Sequence, residues 1–249
     1  MSTETVLLLA AAFFCVATLY SSIGHAGASG YLATMALVGV APDSMRPIAL
    51  ALNILVACFT VARFARAGYF SWRGLWPFLL GSVPLAAIGG AWQLATHVYY
   101  VIAGVALLLS AFVLLWRVYF HETPQVAVAT IPLGPAVLIG AAIGLLSGLT
   151  GTGGGIFLSP VIVLAGWAGP RHTAGISAPF ILVNSSVALV AGSVTWASVP
   201  HETAWLALSV LAGATLGTWI GIKHLSIRSL LVALALVLAL AAAKLFLTR

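Results

Sequence analysis

Polar residues are sparse along this chain and fall in bunches, so the runs between the bunches define its elements. Apolar residues dominate Val6–Ile23, Tyr31–Val40, Arg46–Phe64, Gly74–Trp92, Thr96–Trp116, Leu133–Leu149, Ile156–Trp167, His172–Ala191, Thr203–Ile222 and Ser229–Leu247. A helix needs about 20 apolar residues to cross a hydrocarbon core about 30 Å thick. Most of the ten runs approach that length, and Tyr31–Val40 and Ile156–Trp167 are short. The pattern predicts an all-α polytopic membrane protein with about 8–10 membrane segments. Between the runs, Ala41–Met45 reads as a connector whose Pro42 and Asp43 favour a turn, and Arg63–Arg73 is a basic connector. Arg117 to about Ala129 is a polar linker punctuated by Pro124, with Pro132 and Pro135 just beyond. It is the plausible boundary between halves: 1–120 a first repeat, 121–132 a cytoplasmic linker and 133–249 a second repeat.

The stretch Gly144–Pro170 is too apolar for a solvent loop and too rich in glycine for one uninterrupted helix. Five of the eight residues from Gly148 to Gly155 are glycine. A second small-residue break, SIGHAGASG, spans Ser22–Gly30. A helix broken at membrane depth leaves backbone groups without partners, which is tolerated only where protein or a wet cavity surrounds them. In transporters such cavities bind substrate.

Composition agrees with the pattern. Of 249 residues, 62% are apolar and 6% charged, with mean hydropathy +1.16, against about 25% charged in soluble chains. The formal charge of +6 sits in short connectors, where it sets orientation in a membrane and does not imply a nucleic-acid partner. Val6–Tyr20 follows Glu4 with no basic residue before it and is read as a retained helix, not a secretory leader. Cys15 and Cys58 lie inside apolar segments without CxxC spacing, and buried packing is expected of them. Glu4, Asp43, Glu122 and Glu202 are the only carboxylates, all in terminal or connector segments, so no buried acidic relay or sodium cage is available.

The halves resemble each other. ILVAC at Ile54–Cys58 matches ILVNS at Ile181–Ser185, GYFSW at Gly68–Trp72 matches GSVTW at Gly192–Trp196, and GSVPLAAIG at Gly81–Gly89 matches GATLGTWIG at Gly213–Gly221. The glycine breaks then occupy corresponding positions. Arg63, Arg66, Arg73, Arg117, Arg171, Lys223 and Arg228 flank one set of connectors, and Arg46, Lys244 and Arg249 lie near the other. The first set is taken as cytoplasmic. The matched tryptophans then fall on opposite sides, which makes the repeats inverted, each a broken helical hairpin plus three crossing helices, with both termini outside.

A helix that restarts in mid-membrane presents free N–H groups and the positive end of its dipole, and glycine lets a ligand approach that backbone. The candidate anion-binding residues are Gly151, Thr152, Gly153, Gly154 and Gly155 in one half and Gly27, Ala28, Ser29 and Gly30 in the other. Small residues also bring membrane helices together, so tight packing is the competing reading. His25 is the one ionisable residue within either break, able to donate to an anion or carry a coupled proton, or to rest on a carbonyl. Asn53, Ser177, Asn184 and Ser185 on the following helices are either ligand groups or interhelical bonds. Trp72 and Trp196 suit an aromatic belt better than a cavity rim.

GLTGTGGG followed by Pro160, a small-residue helix and the GSVTW turn resembles the sulfite exporter TauE/SafE family over nearly the whole chain. The first half departs from that pattern, with GHAGASG in place of a second glycine triplet and Thr34 and Met35 where a proline is usual. The resemblance implies a carrier, an exporter in the bacterial cytoplasmic membrane, for sulfite, sulfonates or other small anions. A passive anion channel sharing the same cavity is the alternative. A remote one is an intramembrane serine hydrolase, from the GASG at Gly27–Gly30. The expected partners are a small anion, a coupled proton and the lipid bilayer, with no nucleic acid, cofactor or metal. The residues leave the anion, the direction of transport and the oligomeric state open.

Overall fold

The computed structural model describes residues 3–92, 94–120, 128–192, 203–223 and 228–247. These residues form helices α1 Thr3–Ser22, α2 Ala28–Val38, α3 Pro42–Arg66, α4 Trp72–Ala91, α5 Thr96–Phe120, α6 Leu133–Thr150, α7 Gly155–Leu164, α8 Pro170–Ala191, α9 Thr203–Lys223 and α10 Arg228–Leu247. No strand occurs among the described residues. Most boundaries fall within a few residues of those read from the hydrophobic pattern. Two differ for identifiable reasons. α3 takes in Pro42 and Asp43, expected in a connector, because proline at the first helical position has no N–H to lose and a φ already suited to the turn. α2 begins at Ala28, three residues before the apolar run, because Gly27, at φ 106°, completes the turn there.

Among the described residues, six helices are long and apolar enough to cross a membrane: α1, α3, α4, α6, α8 and α9. α5 and α10 add shorter apolar stretches at His97–Val113 and Leu238–Leu247 among the described residues, and α2 and α7 have only 11 and 10 residues. The chain is thus a multi-pass membrane protein, with helices as the only regular structure among the described residues.

The most extensive helix pairs are α4 with α6 and α1 with α9, followed by α5 with α10, α4 with α8 and α3 with α8. Glycine spacing explains the first two. Gly140, Gly144 and Gly148 turn bare Cα atoms toward the carbonyl oxygens of Phe78, Ser82 and Ala86, and Gly213, Gly217 and Gly221 do the same toward Phe14, Thr18 and Ser22. A side chain at any of these six positions would strike the partner's backbone. Lipid tails are as apolar as leucine, so helix association in a bilayer depends on such close van der Waals approach. Large side chains then fill the space around the short helices, with Phe13, Tyr20 and Tyr31 fully buried between α1 and α2 and the Phe13 and Tyr31 rings 4.7 Å apart.

Cys15 and Cys58 correct an expectation. Both are exposed on the outer faces of their helices, where lipid reaches them. A membrane helix is apolar on its lipid face as well as its packed face, so apolar surroundings in sequence do not imply burial. Trp72, Trp92, Trp116, Trp205 and Trp219 lie exposed at or near helix ends, as in an aromatic belt. Trp196 and residues 121–127 of the linker lie outside the described residues.

Candidate functional site

The two breaks are built alike. In the first, Gly24 (φ 80°) and Gly27 (φ 106°) take left-handed backbone between α1 and α2; in the second, Gly151 (φ 81°) and Gly154 (φ 76°) do so between α6 and α7. Each later glycine caps the start of the next helix. The first N–H groups of α2 and α7 have no acceptor within their own helices, as at any helix start.

Those two helix starts meet around Asn53, near the middle of α3. Its Oδ1 accepts from the Ala28 backbone N–H at 3.1 Å, and its Nδ2 donates to Ser185 Oγ of α8 at 3.0 Å. A Cβ on Gly153 would run into the same Asn53 nitrogen and lie 3.0 Å from Ser185 Oγ, so only glycine leaves that approach open. One helical turn back on α8, Ile181 packs against Gly153 and Gly155. Another turn back, Ser177 Oγ pairs with Ser159 Oγ of α7 at 2.7 Å, and Ser159 Oγ pairs with His25 Nε2 at 2.6 Å. A Cβ on Gly155 would lie 3.5 Å from His25 Cδ2, so the two breaks face each other directly. His25, Asn53, Ser159, Ser177 and Ser185 are all buried, and none of them is a carboxylate.

Several expected site residues look elsewhere. Ser29 Oγ pairs with Tyr20 Oη of α1 at 2.7 Å, and Gly30 faces Val16 and Tyr20. Gly27 faces the Tyr31 ring and Val16. Thr152 Oγ1 pairs with Thr150 Oγ1 at 3.0 Å, and Gly151 lies against Arg46. Gly154 faces Ile143, Phe180 and Ser147 on the α6 and α8 side, away from Asn53. Asn184 Nδ2 donates to the Phe180 carbonyl of its own helix at 2.8 Å, while its buried Oδ1 has no hydrogen-bond partner among the described residues. Ser29, the serine of the GASG stretch, bonds Tyr20, while His25 Nε2 bonds Ser159.

Sequence reasoning missed Ser159 and Tyr20, the direct partners of His25 and Ser29. Ser159 had a signal: it is the one hydroxyl in the otherwise apolar α7, next to Pro160. Tyr20 had none, because an aromatic near a helix end reads as membrane belt.

The arrangement suits recognition of a small anion by neutral donors. Two helix starts, the Asn53 amide and the Ser159, Ser177 and Ser185 hydroxyls line one buried stretch along two turns of α8, and donors to a charged group are roughly twice as strong as neutral pairs. A protein of Sinorhizobium fredii (strain NBRC 101917 / NGR234) named "Probable membrane transporter protein y4hK" is 39% identical over 246 residues, covering 98% of this chain and 99% of that protein. No solved structure matches the chain. The pattern of the family described as Sulfite exporter TauE/SafE matches residues 9–245. The chain therefore belongs to the sulfite exporter TauE/SafE family and is a membrane transporter.

Proposed function

We propose that this transporter exports a small oxyanion, sulfite or an organosulfonate, across the bacterial cytoplasmic membrane, binding it where the two breaks meet. The observation that carries the reading is Asn53, held between the α2 start and Ser185 with the bare Cα of Gly153 beside it. An oxyanion replacing the Ser185 bond would receive the Asn53 amide, the Ser185 hydroxyl and the N–H groups opening α7. No formal positive charge is required in the site, which suits a carrier that must also release its ligand.

The finer architecture belongs to the same proposal. Residues 1–120 and 133–249 are inverted repeats joined by a cytoplasmic linker at 121–132, each beginning with a broken hairpin. Exchange of helices between halves supports this: α4 of the first half packs on α6 of the second, and α9 of the second packs on α1 of the first. Orientation follows the basic residues. Arg46 and Lys244 bond carbonyls at the end of the bundle where α2 passes into α3, whereas Arg171 meets Tyr69 at the opposite end. The end richer in Lys and Arg is assigned to the cytoplasm, which leaves both termini outside. His25, in hydrogen-bond reach of Ser159, is the group that carries a coupled proton.

Binding and uptake of a panel of small anions by purified protein in sealed vesicles tests the reading. Saturable binding of sulfite or a sulfonate, with counter-transport of unlabelled anion, is expected. Uptake that shows no counter-transport would replace the carrier by a channel.

A further inference from the structure

Arg46 sits at an electrostatically unfavourable position in its own helix. It lies early in α3, near the end that carries the positive half of the helix dipole. Its half-buried side chain leaves that helix and turns to the last turn of α4. There Nη1 donates to the Trp92 carbonyl at 3.3 Å, and Nη2 donates to the Gly89 carbonyl at 3.2 Å and to that of Gly90. Among the described residues, its hydrogen-bond acceptors are all carbonyls at the negative end of the α4 dipole, so these bonds place the charge and offset it in part without pairing it to a carboxylate.

Its stem reaches the second break. A Cβ on Gly151 would lie 3.1 Å from Arg46 Cγ and 3.5 Å from the Arg46 carbonyl. Seven residues further along α3, two turns and about 10 Å along its axis, Asn53 sits on the same face with Gly153 against it. Residues 151–153 therefore run along α3 from the guanidinium to the amide. At the start of that segment, Tyr99 Oη of α5 donates to the Thr150 carbonyl at 3.5 Å.

We infer that Arg46 binds the transported oxyanion at the outer end of the bundle, where α3 begins, and exchanges it along residues 151–153 with the site at Asn53 on its way out. This rests on the reading of Asn53 and Gly153 as the anion site. A guanidinium matches an oxyanion with two parallel N–H donors, and its bonds to carbonyls can be exchanged for stronger ones to a charged ligand. A cap on α4 alone accounts for the carbonyl contacts but not for the stem lying on Gly151.

The test is the rate of sulfite binding, at low and high salt, to purified protein in lipid nanodiscs, where sulfite in solution reaches the outer end and enters the exit path in reverse. The unmodified protein is expected to bind sulfite several-fold faster at about 10 mM than at about 300 mM salt, because screening weakens capture by a surface charge. Arg46→Gln is expected to bind about tenfold more slowly with a flattened salt dependence and a dissociation rate within about threefold of the original, and Arg46→Lys to keep most of the rate. A salt-independent rate in the unmodified protein overturns the inference, and that arm needs no variant to fold. An association rate in Arg46→Gln within twofold of the original also overturns it, even if the variant melts at lower temperature. Retained sulfite affinity in Asn53→Ala defeats the Asn53 site itself, a result separable from both.

Discussion

Asn53 and Ser185 lie 132 positions apart and join by one hydrogen bond of 3.0 Å, from the Asn53 amide to the Ser185 hydroxyl. That bond ties α3 to α8 at the point where α2 begins and Gly153 makes its close approach. Replacing Asn53 by Ala removes an amide donor whose bond to a charged ligand is worth about 1.5–3 kcal/mol. Anion affinity is expected to fall by about tenfold or more. Asn53→Asp places a negative charge against the ligand and is expected to abolish binding. Isothermal titration on purified variants reads both.

Gly153 and Gly154 share φ 76° but face different neighbours, so alanine separates binding from packing. At Gly153 the new methyl enters the space beside Asn53 and Ser185, and loss of anion binding is expected. At Gly154 it meets Ile143, Phe180 and Ser147, and a lower melting temperature with retained affinity per folded molecule is expected. Both carry the strain of left-handed backbone, about 1–2 kcal/mol. Gly144→Ala is the packing control. Its methyl strikes the Ser82 carbonyl, overpacking costs about 1–3 kcal/mol, and affinity should survive. Thermal melts and titrations on the same samples decide.

His25 is buried, with Ser159 on its Nε2 and the Tyr20 ring centroid 6.2 Å from its own. Protonation would turn both ring nitrogens into donors, reversing any bond in which the neutral ring accepts. Transport by His25→Gln is expected to lose its pH dependence between about pH 5 and 8, where histidine usually changes charge, while the protein stays folded. Proton-coupled uptake measured across that range checks this, and an unchanged profile excludes His25 as the proton carrier.

Orientation is testable at two exposed connector positions, Ala41 between α2 and α3 and Phe70 between α3 and α4. In a protein lacking Cys15 and Cys58, Ala41→Cys is expected to react with an impermeant thiol reagent in intact cells. Phe70→Cys should react only after the cells are opened. The reverse pattern inverts the assigned topology.

The helices were legible because membrane crossing demands long apolar runs and punctuation by glycine, proline and charge. The second break stood out most, since five glycines in eight residues match no stable helix. The side of each helix that meets protein was not legible. Leu9 and Leu8 are neighbours of one type, yet one is buried and the other 57% exposed, and Cys15 was misplaced for the same reason. Polar residues spoke more clearly: Asn53, Ser177 and Ser185 all turned inward, because lipid leaves an amide or hydroxyl no other partner. What sequence spacing did not reveal was register across the breaks. It made Gly154 the natural centre of its triplet, whereas the chain turns Gly153 toward Asn53. It also gave no sign that Arg46, read only for orientation, lies against Gly151.

The central claim is where the anion sits. Selenite, the selenium analogue of sulfite, can be located by its anomalous scattering in crystals of the purified transporter. The account predicts one strong selenium peak within hydrogen-bond distance of Asn53 Nδ2, the Ser185 hydroxyl and the backbone that opens α7, lost in Asn53→Asp. A peak at another place in the bundle, or none there at a concentration that saturates binding in solution, would contradict it.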